Sequence, residues 1–174
     1  MAKRREARVE GYLSRLYGYA LSLGNDRDTA RDLVQEAVLK ALAATRTPTD
    51  EPAYRAWLFR ILRNAFLDYA RRSGREVATP ESEPEVDSNA IWRCDDKLIS
   101  ELTVRSAMAR LKPHHREIIA LVDIVGFTYM EAAAVLDVPN GTVMSRISRA
   151  RLALMGEIAD GILRPLPRAA GRNA

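Results

Sequence analysis

Apolar residues recur at spacings of three and four along most of this chain. No stretch alternates strictly, as a half-buried strand does, so the pattern predicts helices only. Leu13, Leu16, Tyr17, Ala20 and Leu21 mark an amphipathic helix that Gly24-Asn25-Asp26 interrupts. Ala30, Leu33, Val34, Ala37, Val38 and Ala41 mark the next, with Asp32, Gln35 and Glu36 turned away from that face. The run TRTPTDEP, Thr45 to Pro52, opposes helix continuation through its prolines and small polar residues and predicts a loop. A third helix carries Leu58, Ile61, Leu62, Ala65, Phe66 and Tyr69 on its core side. It ends in the basic turn Arg71-Arg72-Ser73 with Gly74 just beyond, as helix ends prefer.

The segment EVATPESEPEVDSN, from Glu76 to Asn89, is acidic, contains prolines and has almost no large apolar side chain, so it cannot bury enough surface to offset chain entropy. Helical spacing resumes with Leu98, Leu102, Val104, Met108 and Leu111 before Lys112-Pro113. It continues with Ile118, Ile119, Leu121 and Val122, and then with two more helices from Thr128 onward. The expected architecture is all-α: two small helical domains, 1–75 and 98–163, a flexible acidic linker, 76–97, and a frayed tail, 164–174, with a helix-turn-helix in the C-terminal domain.

The length of 174 residues suits two such domains. No apolar run approaches the roughly 18 residues a membrane span needs, and no apolar core follows the basic start MAKRREARVEGY, so neither membrane insertion nor an export signal is expected. The single cysteine, Cys94, excludes an internal disulfide and suits a reducing cytoplasm. A net charge of +4 is only modestly basic, so the position of the charge matters more than its sum.

The charge is placed informatively in TYMEAAAVLDVPNGTVMSRISRAR, Thr128 to Arg151. Thr128 with Glu131 three residues on matches a capping box. Ala132, Ala133, Val135 and Leu136 supply a packing face, and Asp137 to Gly141 makes the turn. Asn140, Gly141 and Thr142 are small enough to let a second helix start close to phosphates, whose charge its amide dipoles favour. Val143, Ile147 and Ala150 face inward, leaving Ser145, Arg146, Ser148, Arg149 and Arg151 for the outer side. Cap, turn and basic second helix, in that order, are what a protein needs to lay a helix in the major groove of DNA. In the first half, Arg60, Arg63, Asn64 and Arg71 gather opposite the apolar face of the third helix, with Tyr54 and Trp57 near its start. Basic side chains beside aromatics can hold unstacked bases, but aromatics at helical spacing also serve as core. The edge of Asp32, Gln35 and Glu36 suits partner contact or plain solvation.

Three blocks carry a family resemblance. DTARDLVQEAVLKAL resembles the polymerase-binding helix of bacterial sigma factors, AYRAWLFRILRNAFLDYARR their promoter-opening helix, and LKPHHREIIALVDIVGFTYMEAAAVLDVPNGTVMSRISRAR their C-terminal helix-turn-helix. They occur in the family's order and cover most of the chain outside the linker and ends. The short length is similar to that of the extracytoplasmic-function (ECF) group of the sigma-70 family. The resemblance implies that Asp32, Leu33, Gln35 and Glu36 meet the clamp of the polymerase's largest subunit, with the flap as a further contact of the core enzyme. It implies that the loop from Thr45 to Tyr54, with Tyr54, Trp57, Arg60, Arg63, Asn64 and Arg71, captures and melts the −10 element. It likewise implies that Asn140, Thr142, Ser145, Arg146, Ser148, Arg149 and Arg151 address the −35 element in duplex form. The linker is expected to run through the core enzyme towards its RNA exit path. A dedicated anti-sigma factor, often anchored in a membrane, and a stress or environmental signal are implied in the same way.

Two positions depart from the family pattern. Met144 stands where lysine or arginine is usual, removing one expected phosphate contact, and Ala132 replaces the usual isoleucine. His114 and His115 are adjacent and lack a metal-ligand spacing with Cys94, so no metal and no cofactor are expected. No glycine-rich phosphate loop, nucleophile elbow or paired-carboxylate signature argues for an enzyme or a small-molecule substrate. The rival reading is a stand-alone operator-binding regulator with a sensing N-terminal half; it requires a pocket where the sigma reading requires an exposed docking edge.

Overall fold

A computed structural model describes residues 2–24, 26–74 and 101–163. Among them every regular element is a helix. In chain order these are α1 (Ala2–Glu10), α2 (Leu13–Gly24), α3 (Arg27–Ala43), α4 (Glu51–Ser73), α5 (Glu101–Arg110), α6 (Pro113–Ile119), α7 (Tyr129–Leu136) and α8 (Asn140–Leu163). Between α6 and α7 the chain makes one wider π-type turn, Ala120–Ile124. The expected acidic linker, Cys94 and the expected frayed tail lie outside the described residues. None of the described helices is long and apolar enough to cross a membrane.

Local chemistry sets the boundaries. The carboxylate of Asp26 accepts from the Thr29 amide at 2.9 Å and caps α3, and that of Asp50 accepts from the Ala53 amide at 3.0 Å and caps α4. Pro52 sits in the first turn of α4, where its missing N–H is harmless. Gly74 closes the same helix with φ of 64°, a left-handed conformation that glycine adopts without strain.

The core faces of α3 and α4 follow the apolar pattern: Ala30, Leu33, Val34, Ala37 and Ala41 are buried in one, and Leu58, Leu62, Ala65 and Phe66 in the other. Val38, Ile61 and Tyr69 are only half-buried. Two features of the N-terminal end differ from expectation. The basic start forms a helix of its own, α1, separated from α2 at Gly11-Tyr12. The buried face of α2 is Leu16, Tyr19, Ala20 and Leu23, while Leu13 is exposed and Tyr17 and Leu21 are half-buried. The physical reason is that α2 packs against α6 as well as α3 and α4, which draws Tyr19 inward.

Periodicity leaves the arrangement of the two halves open; the structure packs them against each other, α4 on α7 and α2 on α6, so that one continuous apolar cluster runs through both. Gly126, with φ of 79°, turns the chain after the π-type turn, and Phe127 follows it into the N-terminal half. There Phe127 meets Phe59 edge-on with ring centroids 4.9 Å apart, and Phe59 meets Tyr19 at 5.5 Å. Such pairs add about 0.5–1.5 kcal/mol beyond area burial. Phe127→Ala is therefore expected to weaken the packed form by about 3–5 kcal/mol, read by urea denaturation, and to raise the radius of gyration in solution scattering. An unchanged midpoint and radius would show that the ring does not hold the halves together.

Candidate nucleic-acid interface

The helix-turn-helix is built as its sequence requires. Thr128 and Glu131 form a reciprocal capping box: the Glu131 amide donates to Thr128 Oγ1 at 3.2 Å, and the Thr128 amide donates to Glu131 Oε2 at 2.9 Å. The turn begins at Asp137, whose φ of 58° is one of the left-handed conformations an aspartate tolerates. Val143, Ile147 and Ala150 then anchor α8 in the core. On its outer side Asn140, Met144 and Ser145 are exposed, and Thr142, Arg146, Ser148 and Arg149 half-exposed. Arg149 lies along its own helix, with Nε donating to the Ser145 carbonyl at 3.3 Å. Arg151 is placed differently. Its Nε and Nη2 donate to the two Asp123 oxygens at 3.1 and 2.6 Å, a fork that ties α8 to the π-type turn and raises the arginine's pKa.

In the N-terminal half, Asp32 and Gln35 are exposed on α3, and Glu36, half-exposed, pairs with Lys40 Nζ at 2.6 Å one turn on. Leu33 instead points into the core at 3% exposure, so what it offers that edge is a rigid seat, not a contact. Leu39, not singled out from sequence, is strongly exposed on the same helix. Of the residues grouped on α4, Arg60, Asn64 and Arg71 are exposed and Trp57 half-buried. Tyr54 is 3% exposed, its ring lying under the Arg8 guanidinium at 3.7 Å and beside Trp57 at 5.4 Å. Arg63 turns towards the C-terminal half.

There it joins a cluster that sequence reasoning missed. Glu117 of α6 is 6% exposed, and its Oε1 accepts both from Arg63 Nε at 2.8 Å and from the fully buried Tyr19 hydroxyl at 3.1 Å. Burial and the neighbouring carboxylate push the Tyr19 hydroxyl well above its ordinary pKa, so it stays a donor. A second bridge lies nearby: Arg55 donates from Nε and Nη2 to Glu131 Oε1 at 3.1 and 2.6 Å, and its guanidinium stands 4.5 Å from the Phe127 ring centroid. Glu131 thus caps α7 and binds α4 together. Burial alone raises its carboxyl, but the Arg55 guanidinium with the Thr128 amide and hydroxyl outweighs this and holds it below the usual carboxylate range. The only sequence signal for these residues is a charge beside apolar neighbours, in Arg116-Glu117-Ile118 and in Tyr54-Arg55-Ala56; the partners stand 54 and 76 residues away.

Comparison with known proteins agrees with this geometry. Residues 8–76 match the family model Sigma-70 region 2, and residues 101–154 match Sigma-70, region 4. The chain is 35% identical over 147 residues to the ECF RNA polymerase sigma factor EcfG of Rhodopseudomonas palustris, covering 80% of this chain and 76% of that protein. Its fold is similar to that of the sigma factor RpoE in complex with the anti-sigma factor NepR from Bartonella quintana, with TM-score 0.69, 33% identity, and coverage of 90% of this chain and 98% of that one. It is also similar to CnrH in complex with the cytosolic domain of CnrY, with TM-score 0.66, 28% identity, and coverage of 92% and 90%. The chain belongs to the ECF group of sigma-70 family sigma factors, the promoter-specificity subunits of bacterial RNA polymerase.

Removing Glu117 tests the junction. Glu117→Ala leaves the Arg63 guanidinium and the buried Tyr19 hydroxyl without their carboxylate and is expected to cost the packed form about 3–5 kcal/mol, read by denaturation together with solution scattering. The Glu131 bridge predicts a pH dependence. Folding lowers this pKa, so its stabilisation is complete above the ordinary glutamate range and disappears as pH falls through the folded value. The packed form is expected to loosen on acidification below the ordinary glutamate range, and Glu131→Gln to flatten that part of the profile; identical profiles would remove Glu131 from the account.

Proposed function

We propose that this sigma factor docks on the polymerase clamp through the α3 edge of Asp32, Gln35 and Glu36, seated by Leu33. The loop before α4 and the α4 side chains Trp57, Arg60, Arg63, Asn64 and Arg71 then capture and melt the −10 element. The −35 duplex is met by the start and outer side of α8: Asn140, Thr142, Ser145, Arg146, Ser148 and Arg149. In this reading residues 1–75 and 98–163 are separate working units joined by 76–97, and the protein works in the cytoplasm and leaves catalysis to the polymerase. The observation that carries the assignment is that an exposed acidic edge on α3 and an outward-facing start of α8 coexist on one chain, each fixed from behind by buried apolar residues. A sensor domain requires a ligand pocket, which the docking reading does not.

The packed arrangement is the resting form in this reading. Arg63 cannot serve Glu117 and a DNA strand at once, so its use in promoter opening requires the halves to part; Tyr54 is covered from within its own half, by Arg8 of α1. The similar RpoE structure is a complex with a protein named as an anti-sigma factor, and the CnrH structure is a complex with the cytosolic domain of CnrY. We infer that a partner of that kind restrains this chain, and the packed form is the state such a partner would hold. Arg151, paired with Asp123 at the surface, serves the −35 surface by bracing α8 against the π-type turn.

Adding the purified chain to core polymerase is expected to give run-off transcripts from a defined set of promoters. Operator binding of equal strength without polymerase would favour a stand-alone regulator. Asp32→Ala is expected to reduce pull-down of core enzyme without lowering the melting temperature. Arg149→Ala is expected to weaken −35 binding by about 1–3 kcal/mol if it reads a base edge, or to lower the salt slope if it touches phosphate; wild-type behaviour on both counts would strike it from the surface.

A further inference from the structure

The segment between α3 and α4, residues 44–50, forms no helix or strand, and apart from Asp50, whose carbonyl accepts from the Tyr54 amide, the donors its carbonyls find come from α1. Arg5 Nη1 donates to the Ala44 carbonyl at 2.8 Å. Arg8 Nη1 donates to the Pro48 carbonyl at 3.0 Å, and Nη2 to those of Thr49 and Asp50 at 3.2 and 3.4 Å. Nε and Nη2 of Arg8 also reach Glu51 Oε2 at 3.0 and 2.7 Å, while Tyr12 donates its hydroxyl to the other Glu51 oxygen. Burial, with the Glu51 hydrogen bond and charge, pushes the Tyr12 pKa up to about 12, so this donor persists at any working pH. The Arg8 plane stacks on Tyr54, the first buried residue of α4. One guanidinium therefore fixes three consecutive loop carbonyls, a carboxylate and a ring, which suits its planar set of donors and which no lysine reproduces. With those groups held inward, Thr45, Arg46 and Thr49 are left exposed on the outer side.

We propose that Arg8 is a positioning residue for promoter specificity: by holding the 44–50 loop in one shape, it decides which −10 bases the outward side chains accept. This rests on the reading of that loop as the −10 contact. A loop ordered before binding loses little entropy when a base arrives, and it presents its donors and acceptors in one geometry. A loop released from its pin must be ordered by each sequence it meets, and several sequences can do so comparably well.

The test uses holoenzyme reconstituted from core polymerase and the full chain, transcribing a template library randomised over the −10 element behind a fixed −35 element. Transcript sequencing gives the preference at each position. With Arg8→Lys, which keeps the charge but loses the fork and the stack, preferred over singly substituted −10 sequences are expected to lose about tenfold in discrimination, the scale of ordering a residue or so. Core pull-down and a −35 preference profile from a second library are expected to stay as in wild type. Arg5→Ala, which loosens only the Ala44 end, is expected to shift the profile the same way by less, and it serves should Arg8→Lys fold poorly. A uniform fall across all promoters with a lowered melting temperature would make Arg8 merely structural and overturn the proposal, as would an unchanged profile. Thr49→Ala and Arg46→Ala locate the failure. If they reshape the −10 profile and the Arg8 and Arg5 variants do not, the positioning role alone is wrong; if none does, the loop is not the −10 contact and both readings fall.

Discussion

A carboxylate buried between two helical bodies has to be answered by both of them, and Glu117 imposes that constraint here. Desolvating a charge is tolerable only where donors of good geometry meet it. Its donors, Arg63 and Tyr19, come from α4 and α2 on the other side of the junction. From Tyr19 a run of packed rings continues through Phe59 to Phe127, and over the Phe127 ring stands the Arg55 guanidinium of a second bridge, to Glu131. Apolar contact alone lets two surfaces slide; a paired buried charge gives the junction one register.

That register places residues with two uses at the seam. Arg63 stands among the α4 side chains suited to an opened DNA strand and also neutralises Glu117. Glu131 caps the first helix of the DNA-binding motif and also fastens it to α4. The Arg63–Glu117 and Arg55–Glu131 pairs thus stabilise the packed form with groups drawn from both halves. Asp32, Gln35 and Leu39 of α3 and Asn140, Met144 and Ser145 of α8 stay exposed in the packed form.

A similar economy operates at the amino end. The loop after α3 is short and carries Pro48, yet most of its carbonyls accept from arginines of a helix some 40 residues earlier. Irregular backbone that must present a defined surface needs such support, and here it comes from the basic helix α1.

The helices, their caps and most of their inner faces were legible in the chain. Periodicity and capping residues act within a few residues of each other, so Asp26, Asp50, Thr128-Glu131 and the apolar rows of α3, α4 and α8 could be read without tertiary information. The three family-like blocks likewise pointed to a sigma factor. What the sequence could not decide was anything set by partners distant along the chain: the inner face of α2, the burial of Tyr54, the pairing of Arg63 and Arg151 with carboxylates of other elements, and the junction around Glu117. An arginine on a helix reads the same whether it meets water, DNA or a carboxylate 54 residues away. Only the packing of the halves chooses among them, because desolvation and pairing depend on which surfaces meet in space.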